Sequence, residues 1–200
     1  MFTNIFQNSQ IKITVEGKRH LGAALGTNDF KISYISEKVE NWCKKMEKLA
    51  EIAKTQPHAA YAAYVHGEVH RYTYFLRTLD DISEILEPLD RVITNDFIPS
   101  LFGTSISPNE RDLLALPIKD GGMGMRIWQN EADDSFTTSK DVTKPLQSQI
   151  LKQIVDLPAH EEVVSAKSRA MNAMTDKRAR GIKLAECIST ERARFRIKQK

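Results

Sequence analysis

The 200-residue chain has little cysteine, no long apolar run and no complete catalytic motif. Its two cysteines, Cys43 and Cys187, belong to no CxxC or comparable spacing, so neither a disulfide framework nor a cysteine zinc site is supported. Two idle thiols in a reducing compartment are expected instead. No stretch approaches the roughly 20 apolar residues that a membrane-spanning helix needs. The opening MFTNIFQNSQ also lacks the basic and apolar regions of a signal peptide. An intracellular address, nucleus or cytoplasm, follows as the expectation, with no membrane association.

Catalytic signatures are equally scarce. In GKRHLG the second glycine is not followed by the Lys and Ser/Thr of a phosphate-binding loop, and GGMG has neither a preceding strand nor a ribose-binding carboxylate. A G-x-S-x-G nucleophile elbow is absent. His66 and His70, in HGEVH, have one-turn spacing, but Glu68 is not adjacent to the first histidine as a metalloprotease base must be. An independent enzyme would rest on that histidine pair or on a pocket that no motif announces.

What the chain does have is patterning. IKITV, Ile11 to Val15, alternates apolar and polar residues as a half-buried strand does. Gly17, Gly22 and Gly26 punctuate the following stretch, predicting a small hairpin with a second short strand near Leu21. Asn28 or Asp29 then suits the cap of a long helix whose apolar stripe is Ile32, Ile35, Val39, Trp42, Met46, Leu49 and Ala53. On its other side Glu40 and Lys44 are spaced for an i,i+4 pair.

Pro57 opens a second helix with a stripe of Ala62, Val65, Val69, Tyr72 and Leu76. A third is expected from Asp81, with Glu84 three residues on and Pro88 as a kink. SPNERDLLALP carries a compact helix signal: Ser107 as cap, Pro108 in the first turn, Glu110 closing the box and Pro117 as stop. DGGMG reads as a turn, Glu131 to Ser139 as a polar loop, and Lys144 to Val155 as a short helix. A longer helix, rich in Ala and Arg, is expected from about Glu161 onward.

Charge is unevenly spread. The formal total is +3, but residues 177–200 alone carry nine Lys or Arg against two Glu, a local +7 that leaves the first 176 residues at −4. The second helix contributes another cationic element. Wound at about 100 degrees per residue, it gathers His66, His70, Tyr74 and Arg77 within an arc of about 80 degrees, with Arg71 at the margin. Arginine neutralises phosphates, while tyrosine and histidine pack on sugars or bases, so such an edge suits a nucleic-acid backbone.

The order of these motifs resembles one family. ITVEGKRHLGAALGT resembles the primer-grip hairpin that follows the catalytic palm of retrotransposon reverse transcriptases of the LINE-like, non-LTR kind. AYAAYVHGEVHRYTYFLRTLDDISEILEPLDRVITNDFIPSLFG is similar to their thumb, and LLALPIKDGGMGM to a leucine-proline and Gly-Gly-x-Gly pattern further downstream. The likeness covers roughly residues 11–126 and thins towards Gln153. One departure is His20, which stands where the family has Tyr or Phe before Leu-Gly.

A second departure is the missing Tyr/Phe-x-Asp-Asp turn, whose carboxylates hold divalent metal, magnesium, for phosphoryl transfer in the family. Asp80–Asp81 and Asp133–Asp134 lie downstream and follow no such aromatic. The resemblance therefore implies a non-catalytic fragment, with no cofactor of its own, that grips an RNA or DNA template-primer duplex.

The implied fold is mainly α: a hairpin remnant over residues 1–27, a thumb-like helical bundle over 28–126, a linker and short helix over 127–157, and a basic helical extension over 158–200. The implied contact residues are Lys18, Arg19, His20, Leu21 and Gly22 in the hairpin with His70, Arg71, Tyr74 and Arg77 on the second helix. The basic end adds a separate electrostatic footprint at Arg178, Arg180, Arg194 and Arg196. The competing expectation is a helical protein-interaction module, using the stripe from Ile32 to Ala53 or the Met171 and Met174 region to pair with another protein.

Overall fold

Two adjacent residues with positive φ, Leu21 at 48° and Gly22 at 89°, reverse the chain at the start of the fold. Positive φ at both central residues is the mark of a two-residue type I′ turn, which matches the twist of the strands it joins. Those strands are β1, Gly17–His20, and β2, Ala23–Gly26, paired antiparallel with Gly17 opposite Gly26 and Arg19 opposite Ala24. The expected hairpin is present, but Leu21, expected near its second strand, lies in the turn, and of the expected first strand Ile11 to Ile13 lie outside the described residues. Thr14 to Glu16 lie outside the strand, because the register is set by the turn rather than by the upstream apolar pattern. The computed structural model describes residues 14–153 and part of the segment 161–190.

Gly17 has a packing reason to be glycine: a Cβ there would fall 2.4 Å from the Phe30 ring. Phe30 belongs to α1, Asn28–Ala53, whose cap is Thr27 rather than Asn28 or Asp29; the Thr27 hydroxyl accepts from Phe30 N–H at 3.3 Å. Ile35, Val39, Trp42, Met46, Ala50 and Ala53 are buried along one face of α1. The expected Glu40–Lys44 pair forms at 2.6 Å. Ile32 is an exception at 49% exposure. Phe30 and Tyr34 face the core in these first turns, and a residue two positions from each points elsewhere.

The second helix begins at Pro57 as expected: α2, Pro57–Ala63, runs through a π-turn, Tyr64–Glu68, into α3, Val69–Thr78. That wide turn alters which residues are buried. In a regular α-helix Tyr64 and Tyr72 would diverge by about 80 degrees; the π-turn takes up the difference, and both are fully buried. Ala62 is exposed and Val65 and Val69 only partly buried, so the stripe shifts to Ala60, Tyr64, Tyr72 and Leu76.

After α3, Asp81 has φ of 54° and caps nothing. A short 3₁₀ turn, Glu84–Leu86, leads into α4, Glu87–Val92; a second π-turn, Ile93–Phe97, leads into α5, Ile98–Phe102. Pro88 therefore sits in the first turn of α4, where it lacks no interior hydrogen bond, instead of kinking a helix from within. The Ser107–Glu110 capping box opens α6, Pro108–Ala115, as expected, and DGGMG is a turn with Gly121 and Gly124 at positive φ.

The expected loop from Glu131 to Ser139 is helical. It lies inside α7, Trp128–Lys152, a single helix. Its capping group comes from far away: the Asp90 carboxylate accepts from the N–H of Trp128 at 3.0 Å and of Gln129 at 2.8 Å. A carboxylate at that end also answers the positive pole of the helix.

One buried cluster spans these elements, from Ala24 of β2 through α1, α3 and α4 to Met125, Trp128 and Ala132. The stripes of the first three helical stretches pack on one another, so the buried face of α1 is spent on the core. An unbroken series of aromatic contacts runs through it. Phe30 stacks on Tyr34 (6.5 Å), Tyr34 meets Phe75 (6.2 Å), Phe75 meets Trp42 (5.1 Å), Trp42 meets Tyr72 (4.8 Å) and Tyr72 meets Trp128 (5.1 Å). Burial pushes the Tyr64 and Tyr72 phenols far above their ordinary value.

Arg111 of α6 is a buried cation. Its guanidinium donates to Thr94 Oγ1 at 2.9 Å, to the Met125 carbonyl, and to the Arg126 carbonyl at 2.9 Å. Burial holds its pKa below the usual arginine value, opposed by the charge of nearby Asp90. Asp90 is displaced the other way: burial raises its pKa, against the two backbone bonds and Arg111.

Candidate nucleic-acid interface

The hairpin apex is tied to the helices by two tyrosines. Tyr74 of α3 donates its hydroxyl to the Leu21 carbonyl at 2.7 Å, and Tyr34 of α1 donates to the Gly22 carbonyl at 2.9 Å. Within α3, His70 and Arg77 lie four residues before and three after Tyr74, so regular helical spacing aligns the three on one side. The turn, with His20 beside it, therefore rests on the middle of that row. Lys18, Arg19, His20, Leu21, His70, Tyr74 and Arg77 are all exposed there.

Two details differ from the sequence-based picture. His66 belongs to the π-turn, so winding the segment at a uniform helical angle fails between it and His70. Arg71 is committed: its guanidinium lies 3.0 Å from Glu68 Oε1, and Lys45 approaches the same carboxylate at 4.0 Å. Glu68 is largely buried, with Oε2 shielded and without a hydrogen bond.

The strand cations also divide between two faces. Arg19 pairs with Ala24, which is buried, whereas Lys18 and His20 pair with Leu25 and Ala23. Opposed residues share a face of a two-stranded ladder. Arg19 thus emerges from the side nearer the bundle, and Lys18 and His20 from the outer side. Arg178, Arg180, Arg194 and Arg196, with Met171 and Met174, lie outside the described residues.

Tyr34 was not among the expected contact residues. It stands outside the apolar stripe expected of α1, and nothing near it signals that its hydroxyl closes on a turn twelve residues upstream. Lys38 lies over its ring, 5.2 Å from the centroid, adding a further cation beside the hairpin.

Elsewhere, a groove of about 830 Å³ lies between α1 and α5, lined by Glu47, Glu51, Lys54, Asn95 and Asp96 among others, and contains none of these residues. Among the described residues no group of three or more His, Cys, Asp or Glu is arranged to hold a metal ion, and no helix is long and apolar enough to cross a membrane. Comparison with protein-family models, with curated proteins and with solved structures gives no match to this chain.

Proposed function

We propose that this chain grips a nucleic-acid duplex of the template-primer kind, acting as the primer-grip hairpin and thumb of a retrotransposon-type reverse transcriptase, with bond-making left to a palm that bears the metal-binding aspartates. One observation carries the reading: the Tyr74 hydroxyl bond to the Leu21 carbonyl. It ties the apex of the hairpin whose first strand carries Lys18, Arg19 and His20 to the His70, Tyr74 and Arg77 row of α3, bringing together segments about fifty residues apart in sequence, with Arg19 on the side nearer the bundle. Contacts of this kind neutralise phosphate and orient the duplex without reading its sequence. The basic segment from Lys177 adds affinity through the same electrostatics.

The test is a gel-shift titration of an RNA–DNA hybrid with a recessed primer, repeated across salt concentrations. Affinity should fall steeply with salt for any duplex sequence. Arg19→Gln and Arg77→Gln should each weaken binding and reduce the log–log salt slope by about 0.9, the contribution of one phosphate contact. Salt-independent affinity, or binding indifferent to both substitutions, overturns the proposal.

A helical protein-interaction module is the second reading. It is favoured by Leu146 and Ile150, which stand one turn apart on α7 at 49% and 67% exposure.

A further inference from the structure

Leu21 is placed where neither backbone preference nor burial explains it. A left-handed conformation crowds a Cβ against the carbonyl, so asparagine or glycine is the ordinary choice at the first position of such a turn. Leu21 adopts φ of 48° nonetheless, and its side chain is 85% exposed. It contributes little to the core while straining the chain, and a strained, exposed apolar residue points to a contact made outside the fold.

The strain is held from below. The two carbonyls of the turn accept the Tyr74 and Tyr34 hydroxyls, from different helices. Both tyrosine rings have aromatic neighbours: Tyr34 stacks on Phe30 and meets Phe75 at a tilt of 40°, and Tyr74 meets Phe75 edge-on at 5.4 Å. Gly22 lies close over the second ring, since a Cβ there would sit 3.5 Å from the Tyr74 hydroxyl. The main chain of the apex is thus tied at both residues, and the Leu21 side chain is the part left projecting.

We propose that Tyr34 and Tyr74 are positioning residues that hold Leu21 out at the hairpin apex as a rigid apolar contact for a sugar or nucleobase of the gripped duplex. This rests on the nucleic-acid reading above and adds a division of labour within it. Lys18, Arg19 and Arg77 neutralise phosphates, whereas Leu21 meets the apolar surfaces that phosphate contacts leave uncovered. Holding the turn in advance spares the ordering entropy that a mobile loop loses on binding.

The experiment compares Tyr34→Phe, Tyr74→Phe and Leu21→Asn with the native chain in the same titration of the recessed RNA–DNA hybrid, with thermal melting alongside. Each tyrosine variant should weaken binding roughly threefold to tenfold, the span of one net hydrogen bond, with the salt slope unchanged. Leu21→Asn should weaken binding by a similar factor while raising the melting temperature, because asparagine accepts the left-handed conformation more readily. A merely structural role cannot give weaker binding from a more stable protein.

Leu21→Asn binding as tightly as the native chain overturns the inference, as do tyrosine variants with native affinity. Should Tyr34→Phe fail to fold, Tyr74→Phe, with its half-exposed ring, and Leu21→Asn still decide. Native chain that binds no duplex at low salt sinks the nucleic-acid reading itself. Binding that depends on Arg19 and Arg77 but not on Leu21, Tyr34 or Tyr74 sinks only the division of labour.

Discussion

Replacing Arg111 by methionine removes the buried cation that joins α6 to the backbone ahead of α7. Three hydrogen bonds are lost, and they are not equivalent. The Thr94 hydroxyl can turn to another partner, but the carbonyls of Met125 and Arg126 are left without the guanidinium. A hydrogen bond to a charged group contributes about 1.5–3 kcal/mol, so the two carbonyls together account for about 3–6 kcal/mol. Against this, the buried charge no longer has to be kept from water, and a methionine side chain gains about 1.5–3 kcal/mol from burial at a site only 6% exposed.

The balance of these two terms is a destabilisation of about 1.5–3 kcal/mol, a substantial part of the roughly 5–15 kcal/mol typical of a domain. Equilibrium urea unfolding followed by helical circular dichroism measures it, with an unchanged slope as the sign that only stability moved. An Arg111→Met variant as stable as the native chain, or more so, would refute the reasoning. The desolvation cost of the cation would then outweigh its bonds, as it does in some buried ion networks.

Asp90→Asn should change the pH dependence of stability. Because the native carboxyl has a raised pKa, the folded state holds its proton at pH values where the unfolded chain has released it. The native chain should therefore lose stability relative to Asp90→Asn as pH rises from about 4 through the raised value, so that its urea midpoint falls with respect to the variant's across that range; a difference that stays constant or moves the other way would refute this. Glu68→Gln should strengthen duplex binding by about threefold to tenfold at low salt, because it frees Arg71 for phosphate and removes a carboxylate from the edge. The same gel-shift titration reads it, and unchanged or weaker binding would show that Arg71 does not face the duplex.

Where the signal for an element is local, it can be read in the residues themselves. The stripe Ile35, Val39, Trp42 and Met46 recurs at the helical period and is buried as a unit, and the Ser107–Glu110 box lies within four consecutive positions. The start of α7 could not be read that way, because its capping carboxylate is Asp90, 38 residues upstream of Trp128. The π-turns hide for a different reason: each carries one surplus residue, so periodicity measured across Tyr64–Glu68 points to the wrong face.

The candidate site divides along the same line. His70, Tyr74 and Arg77 share a face because α3 is regular, which spacing alone predicts. The Glu68–Arg71 pair was also within reach, being an i,i+3 pair of opposite charges. The tie from Tyr34 to Gly22 was not, since its acceptor is a backbone carbonyl oxygen, and a carbonyl has no identity in a sequence.

The series of rings from Phe30 to Trp128 has an optical consequence. Both tryptophans of the chain, Trp42 and Trp128, belong to it, and both are buried. Tyrosine emission overlaps tryptophan absorption, so light absorbed by Tyr34 or Tyr74 at the hairpin passes inward, with Trp42 only one intervening ring, Phe75, away. The protein thus carries its own reporter, in which a ligand that shifts either tyrosine changes the emission of a tryptophan it never touches.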